Sequence, residues 1–430
     1  MKINVFWFRR DLRLEDNTAL TIALNSELPL LPVFIFDTNI TEELPEDDPR
    51  ISFIYDTISS IKNELKKKGS SIIICKGDPI KIWKTFILTY DISSVYLNKD
   101  YEPYAIQRDR AVEDLLRENQ IALLRFKDQV VFEENEILKS DNSPYTIFTP
   151  YKNKWLKKFS ELRSDKTIPE SRKKQNYHKG EFNFPSLEDL GFRKSSIKVQ
   201  PFDLSVIKDY ERYRDIPSID KTSYLGPHLR FGTVSIRKVV CQAQKENSVF
   251  LSELIWREFF MQILFNFPQV VTDNFKQKYN NIEWRNNEVE FESWCKGETG
   301  YPIVDAGMRQ LNTTGYMHNR VRMITAGFLC KHLLIDWRWG EAYFAGKLLD
   351  YELSSNNGNW QWAAGTGCDA APYFRVFNPE AQRKKFDQGN EYVRRWIENI
   401  ENASYPRPIT EHASARKRAI STYKNGIKFK

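Results

Sequence analysis

The chain has 430 residues, of which 41% are hydrophobic, and a formal net charge of +7. This length accommodates two or three domains with their own cores, and the composition argues against a disordered chain. The mild basic excess is compatible with phosphate-bearing partners without identifying one. The five cysteines are scattered, with no CxxC pair and no Cys/His cluster, so neither a disulfide scaffold nor a metal site is expected. The sequence contains no apolar run of transmembrane length and no signal-peptide pattern, which predicts a cytoplasmic protein.

The first 130 residues alternate between strand-like and helix-like patterns. Apolar runs predict strands at 3–8, 30–36, 71–75, 94–97 and 121–126. A helical repeat of apolar residues ends at Leu65, just before Gly69, and Asp78-Pro79 is typical of a helix start. Strands that alternate with helices predict an α/β domain built on a doubly wound parallel sheet. No GxGxxG follows the first strand, so ordinary dinucleotide binding is not expected there.

The rest of the chain divides into a connector and a helical region. Residues 131–200 resemble a long connector, with a basic segment at 171–179. From residue 201 onward the patterns are helical and rich in tryptophan, with helices predicted at 252–265 and 319–334. The last stretch, 405–430, is short and basic.

Two pairs of residues at helical spacing are candidates for ligand contacts. Glu253 and Trp256 are three residues apart, so they share one face of a helix. A ring that stacks on a nucleobase beside a carboxyl that binds its polar edge is one interpretation, and a core tryptophan beside a paired glutamate is the other. Asn319 and Met323 are four residues apart and leave a similar choice between a binding face and an ordinary amphipathic helix.

Amide, aromatic and guanidinium groups are concentrated in one part of the sequence. Asn356-Asn357-Gly358-Asn359-Trp360-Gln361-Trp362 lies between the stretches 315–323 and 365–375. This region resembles the flavin pocket of the photolyase and cryptochrome family, and is closest to class I-like cyclobutane pyrimidine dimer DNA photolyases. The resemblance covers nearly the whole chain. It implies an α/β antenna domain at 1–130, a connector at 131–200 and an all-α domain at 201–430 that binds FAD and DNA.

The resemblance also implies a function. The expected reaction is light-driven repair of cyclobutane pyrimidine dimers by electron transfer from excited reduced FAD to a flipped-out dimer. The expected enzyme is thus a deoxyribodipyrimidine photo-lyase, a monomer with one non-covalent FAD and UV-damaged DNA as its partner. A cryptochrome, which shares fold and flavin but signals without repair, is the alternative. An electron-transfer flavoprotein without photochemistry is a third class, and it would not need Glu253, Asn319 and Met323 together.

The resemblance assigns roles residue by residue. The dimer-contacting, catalytic positions are Glu253, Asn319 and Met323. The FAD-binding positions are Tyr210, Thr222, Ser223, Tyr224, Leu225, Gly226, Arg257, Arg322, Asp350, Tyr351, Glu352 and Asn356. The positions that contact DNA or the substrate are Arg214, Glu253, Trp256, Asn319, Arg320, Trp362, Arg375 and Gln382. The chain of tryptophans that carries an electron to the flavin is Trp284, Trp337 and Trp360.

Some positions separate branches of the family, and others depart from its pattern. Asn319, Met323 and Trp362 together match the dimer-repair branch. The phosphate loop departs, because Tyr224 stands where arginine is usual and Gly226 where serine is usual. At the antenna site, Tyr104 and Ala105 replace the Asn-Glu pair of the folate-binding branch. A deazaflavin, another flavin, a differently bound folate and an empty site therefore all remain open.

Overall fold

The computed structural model describes residues 1–164, 176–398 and 400–428. The central part of the predicted connector, 165–175, lies outside the described residues, as do the last two residues of the basic C-terminal stretch. The chain forms two compact units. Unit 1 comprises Met1–Ile137, Asn153–Phe202 and Leu225–Gln242, and unit 2 comprises Leu138–Lys152, Asp203–Tyr224 and Ala243–Lys430.

Unit 1 contains a five-stranded parallel sheet with the strand order β3-β2-β1-β4-β5. Its strands are β1 (Ile3–Phe8), β2 (Leu30–Asp37), β3 (Ile73–Gly77), β4 (Ile92–Asn98) and β5 (Ala122–Phe126). The helices between them are α1 (Thr18–Leu24), α2 (Thr38–Thr41), α3 (Pro49–Lys66), α4 (Pro79–Thr89) and α5 (Pro103–Glu118). Further along the chain come α6 (Phe148–Ser164), α8 (Leu225–Arg230) and α9 (Ile236–Glu246), with the short helix α7 (Tyr210–Tyr213) of unit 2 between α6 and α8.

The local sequence explains the element boundaries of unit 1. Every residue of β1 and β2 is buried, as expected for central strands of a parallel sheet that is covered on both faces. The side chain of Asp78 caps α4 by accepting a hydrogen bond from the Lys81 N–H, and Pro79 occupies the first turn. Helix α3 ends at Lys66, shortly before Gly69, whose φ of +71° favours glycine. The predicted doubly wound α/β fold is therefore confirmed.

Unit 2 is helical. Its main helices are α10 (Ser248–Asn266), α11 (Glu288–Lys296), α12 (Pro302–Thr314), α13 (Asn319–Gly327), α14 (Trp337–Lys347), α15 (Leu353–Ala364), α16 (Pro379–Phe386), α17 (Glu391–Trp396) and α18 (His412–Lys428). Short 3₁₀ helices cover Ser205–Asp209, Pro268–Val271 and Gln277–Tyr279. A large core, rich in tryptophan and leucine, packs between α11, α12, α13, α14, α15 and α17. This arrangement confirms the predicted all-α C-terminal domain.

One predicted helix differs from the observed structure. The sequence predicts a single helix over 319–334, whereas α13 ends at Gly327 and a π-helix covers Phe328–Leu333. The residue that follows the π-helix, Leu334, has a left-handed backbone, and the π-helix buries Lys331. The Lys331 ammonium donates a hydrogen bond to the Ala364 carbonyl at 2.6 Å and lies 3.7 Å from the centroid of the Tyr423 ring. Burial lowers the pKa of Lys331 to about 7.

The predicted connector is partly helical. Helix α6 starts within it, and residues 138–152 group with unit 2 while 153–202 group with unit 1. Within the described ranges, all five cysteines are free thiols and no group of three or more His, Cys, Asp or Glu side chains is arranged to hold a metal ion. None of the described helices combines the length and the apolar character that crossing a membrane requires.

Candidate active site

A cleft of about 610 Å³, measured with its open mouth, lies in unit 2 and is formed mainly by α13, α15 and the turn before α15. Nine of the residues assigned by resemblance line it: Asn319, Arg322, Met323, Asp350, Tyr351, Glu352, Asn356, Trp360 and Trp362. Its other lining residues are Ala326, Phe344, Leu348, Ser355, Asn359 and Ala363. The structure thus brings together candidates for the flavin, the dimer and the electron chain.

Helix α13 presents one face to the cleft because of its register and its cap. Asn319, Arg322 and Met323 are separated by three and four residues, so their side chains share a face. His318 caps the helix, and its Nδ1 accepts a hydrogen bond from the Arg320 N–H at 3.2 Å. Burial lowers the pKa of His318 to about 4, so the ring is neutral at neutral pH and can act as this acceptor.

Helix α15 forms the opposite wall, and two close approaches fix its position. A methyl group added at Gly358 would overlap the ring of Phe260 on α10, and one added at Gly340 of α14 would overlap the indole of Trp360. Both contacts require glycine because any larger side chain would separate the packed helices. The helix face that carries Ser355, Asn356 and Asn359 is thereby held against the cleft.

An ion pair fixes the guanidinium of Arg322 at the cleft wall. Arg322 contacts Asp350 at 2.9 and 3.2 Å, and its Nε donates a hydrogen bond to the Met317 carbonyl at 2.8 Å. Both side chains of the pair are only partly exposed, so solvent screens their attraction less than on an open surface. The pair places hydrogen-bond donors beside acceptors at one edge of the cleft, which suits a ligand with alternating polar atoms.

The amide of Asn356 is oriented by Glu341, a residue outside the sequence-based assignments. Asn356 Nδ2 donates to the backbone carbonyl of Glu341 at 3.1 Å and to its carboxyl at 2.8 Å. The Asn356 Oδ1 is then the amide atom available to accept a hydrogen bond from a ligand in the cleft. Burial raises the pKa of Glu341, and the hydrogen bond from Asn356 opposes this shift. Glu341 lies on a different helix, and nothing in the local sequence marks it.

Two further ion pairs connect the chain before α8 to the helices around the cleft. Arg214 contacts Glu253 of α10 at 2.8 Å, and Asp215 contacts Arg320 of α13 at 2.6 Å. Neither Glu253 nor Arg214 lines the cleft itself. Burial raises the pKa of Glu253, while Arg214 opposes the shift. The Arg214 guanidinium also lies 5.1 Å from the ring centroid of Tyr210.

Trp256 does not line the cleft, and one of its faces is covered by another ring. The ring of Phe148 stacks on its indole with centroids 3.6 Å apart and planes within 8°. Phe260 lies at 5.4 Å with a tilt of 29°, and Phe259 approaches edge-on at 5.5 Å. No sequence pattern marks Phe148 as a site residue, because it lies in the predicted connector.

The remaining DNA-binding candidates are placed around α13 and α16. Arg320 lies 4.4 Å from the ring centroid of Phe386, in addition to its contact with Asp215. Gln382 is half-buried on α16, and Arg375 is exposed in the loop after α15. Arg257 is half-buried on α10 and does not line the cleft. Both Arg320 and Arg214 are paired with carboxylates, so a phosphate would have to compete for them.

The predicted phosphate loop is divided between the two units. Thr222, Ser223 and Tyr224 belong to unit 2, whereas Leu225 and Gly226 start α8 in unit 1. Tyr224 has a φ of +50°, a left-handed backbone that is uncommon for tyrosine, and its hydroxyl donates to the Asp220 carboxyl at 2.9 Å.

The three tryptophans of the predicted electron chain share one aromatic core. Trp337 and Trp360 are buried members of this core, and Trp284 packs against it while remaining partly exposed. The Trp337 indole N–H donates to Asn274 Oδ1 at 2.9 Å. Trp360 lies at the cleft wall, and Trp284 contacts Tyr423 with ring centroids 5.8 Å apart. The core thus contains one tryptophan at the cleft and one that reaches solvent.

In unit 1, the antenna candidates lie at the carboxyl edge of the parallel sheet. The Tyr104 hydroxyl donates to Asp37 Oδ2 at 2.7 Å, and Asp37 is the last residue of β2. The Arg108 guanidinium lies 5.8 Å from the Tyr104 ring centroid and 5.1 Å from that of Trp7. Ala105 is buried. In open α/β sheets, ligands bind outside the carboxyl ends of the strands, where the strand order reverses.

Comparisons with known proteins address the family to which the chain belongs. A family model described as "DNA photolyase" matches residues 4–172, and one described as "FAD binding domain of DNA photolyase" matches residues 250–404. A curated relative from Halobacterium salinarum, named deoxyribodipyrimidine photo-lyase, is 34% identical over 98% of each chain.

Two solved structures are similar over nearly their full length. A bacterial class III photolyase from Agrobacterium tumefaciens has a TM-score of 0.84 and 31% identity, covering 100% of this chain and 98% of that one. An archaeal photolyase from Sulfolobus tokodaii, described with two FAD molecules, has a TM-score of 0.83 and 36% identity, covering 99% and 100%. The chain therefore belongs to the DNA photolyase family, the flavoprotein enzymes that repair DNA with light.

Proposed function

We propose that this protein is a deoxyribodipyrimidine photo-lyase that splits cyclobutane pyrimidine dimers in UV-damaged DNA. The observation that carries the proposal is the cleft that collects Asn319, Met323 and Trp362 beside the Arg322–Asp350 pair and Asn356. This set supports the dimer-repair branch rather than a generic flavin pocket. The full-length relatives with this enzyme name support the same reaction.

The donor set of the cleft suits FAD. In the proposal, Arg322 and Asp350 hold the polar edge of the flavin, and Asn356 Oδ1 accepts a hydrogen bond from a ring N–H. Tyr210, Thr222, Ser223, Tyr224, Leu225, Gly226, Arg257, Tyr351 and Glu352 complete the proposed FAD contacts. When bound, reduced and photoexcited FAD supplies the electron that splits the dimer.

The chain's own residues bind and polarise the dimer. Asn319 and Met323 lie on the same helix face as Arg322, which supports their proposed contact with a base in the cleft. In the proposal, Glu253 donates a hydrogen bond to a pyrimidine carbonyl. Burial raises the pKa of its carboxyl, which favours this donor, and the ion pair with Arg214 at 2.8 Å opposes the shift. Negative charge develops on that carbonyl during splitting, and a positioned donor stabilises it.

In the proposal, the DNA is contacted by Arg214, Arg320, Arg375 and Gln382. The flipped bases are contacted by Trp256 and Trp362. Flipping is easier at a dimer because the damage already weakens pairing.

We also propose that the protein is a monomer and that it is cytoplasmic. Five free thiols among the described residues are typical of a reducing compartment. Size-exclusion chromatography with light scattering tests the monomer.

The proposed domains have the bounds expected from the sequence: an antenna domain at 1–130, a connector at 131–200 and a flavin- and DNA-binding domain at 201–430. Because the Sulfolobus tokodaii photolyase is described with two FAD molecules, we extend the proposal to a second FAD at the carboxyl edge of the sheet, near Tyr104. Heat-released FAD should then approach two molecules per chain after reconstitution. A ratio of one, with no other chromophore, would exclude an occupied antenna site.

One experiment tests the central proposal. Protein with chemically reduced flavin is mixed with an oligonucleotide that contains one thymine dimer, and intact thymines are measured after illumination and after an equal time in the dark. Repair in light alone is the expected result. Intact dimers in light, with FAD bound, would instead indicate a signalling photoreceptor. A chain without FAD would contradict both.

A further inference from the structure

The stacked pair of Phe148 and Trp256 limits how the indole can meet a base. Because the Phe148 ring lies parallel to the indole at 3.6 Å, that face of Trp256 is closed. A nucleobase has to use the other face or an edge. The plane of the indole is parallel to the Phe148 ring behind it to within 8°.

Phe148 is itself held by several contacts. It is 6% exposed, and its backbone N–H donates to Asp369 Oδ2 at 3.1 Å. Its ring contacts Phe259 at 5.8 Å, and the Lys152 ammonium lies 5.7 Å from its centroid. One turn later, the Tyr151 ring packs against the same Phe259 at 5.3 Å. These contacts hold the Phe148 ring in place against the indole of Trp256.

The anchor of Phe148 also reaches the other proposed dimer-stacking residue. Asp369, which accepts the Phe148 N–H, lies in the loop that directly follows α15, and α15 carries Trp362 in the cleft wall. The support of Trp256 and the helix of Trp362 are therefore joined by one hydrogen bond and a few residues of chain. Because the Phe148 ring stacks directly on the indole, a change at Phe148 would alter the packing of Trp256 first.

We propose that Phe148 is a positioning residue that fixes the ring plane of Trp256 and, through it, the preference of the enzyme for damaged over undamaged DNA. This inference rests on the proposed function, because it requires that Trp256 contacts the flipped dimer. It assigns a role in substrate recognition to a segment that the sequence marks only as a connector.

The test compares binding to two duplexes that are identical except for one thymine dimer. We expect Phe148→Ala to weaken binding of the damaged duplex roughly threefold to tenfold, as for the loss of one aromatic pair, and to leave the undamaged duplex unaffected. Phe148→Tyr keeps the ring and should restore the preference. Phe148→Leu keeps most of the volume without the ring, so it decides the question if the alanine variant does not fold.

A double-mutant cycle separates positioning from general destabilisation. If Phe148 acts through Trp256, then Phe148→Ala should have no further effect on damaged-DNA binding when Trp256 is already alanine. The matched control is Phe159→Ala in unit 1, because Phe159 is 8% exposed and stacks on Trp155 at 4.8 Å in a similar pair. This control should leave both affinities and the FAD content unchanged.

Three outcomes would overturn the inference: an equal loss in the Trp256→Ala background, an equal loss for both duplexes, or tighter binding of damaged DNA, which would make Phe148 a gate. Failure of the proposed function looks different. In that case the wild-type protein itself shows no preference for the dimer and no repair in light. A wild type that prefers the dimer, beside a Phe148→Leu variant that keeps the full preference, contradicts only the positioning role.

Discussion

Glu253 and Trp256 lie on one helix face, but the structure gives them different surroundings. Glu253 is paired with Arg214 and its pKa is raised by burial, whereas Trp256 is packed among phenylalanines. A carboxyl can act both in binding and in stabilising developing charge, while a ring mainly provides stacking. The two residues should therefore differ in which step of the reaction they affect.

Replacing Glu253 with alanine should lower both damaged-DNA affinity and splitting per absorbed photon. One lost hydrogen bond to a buried partner corresponds to about 1–3 kcal/mol of binding free energy. Trp256→Ala should cost about 1–3 kcal/mol of affinity through lost stacking, with near-normal splitting once DNA is saturating. The measurement uses fully reduced flavin and saturating dimer-containing DNA. Normal splitting in the Glu253→Ala protein would leave Glu253 as a binding residue only.

Arg320 is predicted to contact a DNA phosphate, although it is paired with Asp215 at 2.6 Å. Arg320→Ala should weaken binding of damaged and undamaged DNA alike, and lower the salt slope of binding by about one. Asp215→Asn should tighten binding, because a phosphate no longer competes with a carboxylate. Lys296→Ala, at an exposed cation paired with Glu292, is the control and should keep the wild-type slope. A wild-type slope for Arg320→Ala would move the DNA face elsewhere.

At the scale of elements, the cleft depends on how closely α15 approaches α10. Gly358→Ala should destabilise the protein by about 1–3 kcal/mol, because the added methyl overlaps the buried ring of Phe260. FAD content should fall with it, since the same helix carries Asn356 to the cleft. The matched control is Gly346→Ala in α14, where nothing lies within 4 Å of the added methyl.

Thermal unfolding and flavin absorbance measure both effects. The control should be neutral or more stable, because alanine favours a helix over glycine by about 0.5–1 kcal/mol. Equal behaviour of the two variants would mean that α15 can shift without cost, and that the close packing does not hold the cleft.

The sequence predicts elements well where one local rule decides them. The buried strands, the Asp78-Pro79 helix start and the helix that ends before Gly69 follow from patterning and caps, and each is confirmed. The π-helix at Phe328–Leu333 is not predictable in this way, because a segment of six residues is too short for its apolar pattern to distinguish a π-helix from an α-helix.

In the candidate site, too, local sequence patterns predict only part of the arrangement. Residues on one helix face, such as Asn319, Arg322 and Met323, can be grouped by their spacing alone. Glu341 and Phe148 act on side chains that are distant in sequence, and no periodicity links them to their partners. The resemblance assigns ligand contacts, whereas the residues that orient those contacts become visible only in three dimensions.

At the scale of the whole molecule, the aromatic core of unit 2 contains the three tryptophans that we propose as a route for electrons to the cleft. Trp284→Phe should leave folding and FAD content intact and slow the reduction of oxidised FAD under blue light, because phenylalanine is much harder to oxidise. Repair by chemically pre-reduced protein should be unchanged, since that protein does not need the route. Loss of repair in the pre-reduced Trp284→Phe protein would show that the residue has another role.

The buried lysine of the π-helix, Lys331, should make the stability of the enzyme depend on pH. Its pKa falls from 10.5 to about 7 on folding, so between these values the unfolded chain keeps a proton that the folded chain has released. Unfolding then takes up a proton, and the free energy of unfolding should rise with pH across this window by up to about 1.4 kcal/mol per unit. Lys331→Met removes this term, and the Ala364 carbonyl still accepts a hydrogen bond from the Tyr423 hydroxyl.

The melting temperature of Lys331→Met should therefore exceed that of the wild type most at pH 7, and the gap should close towards pH 10. A gap that does not change with pH would mean that Lys331 titrates alike in the folded and unfolded chains. Because unfolding takes up a proton, a photolyase with this buried lysine should resist heat better in alkaline than in neutral surroundings. The melting temperature of the enzyme in a cell would then depend on the internal pH of that cell.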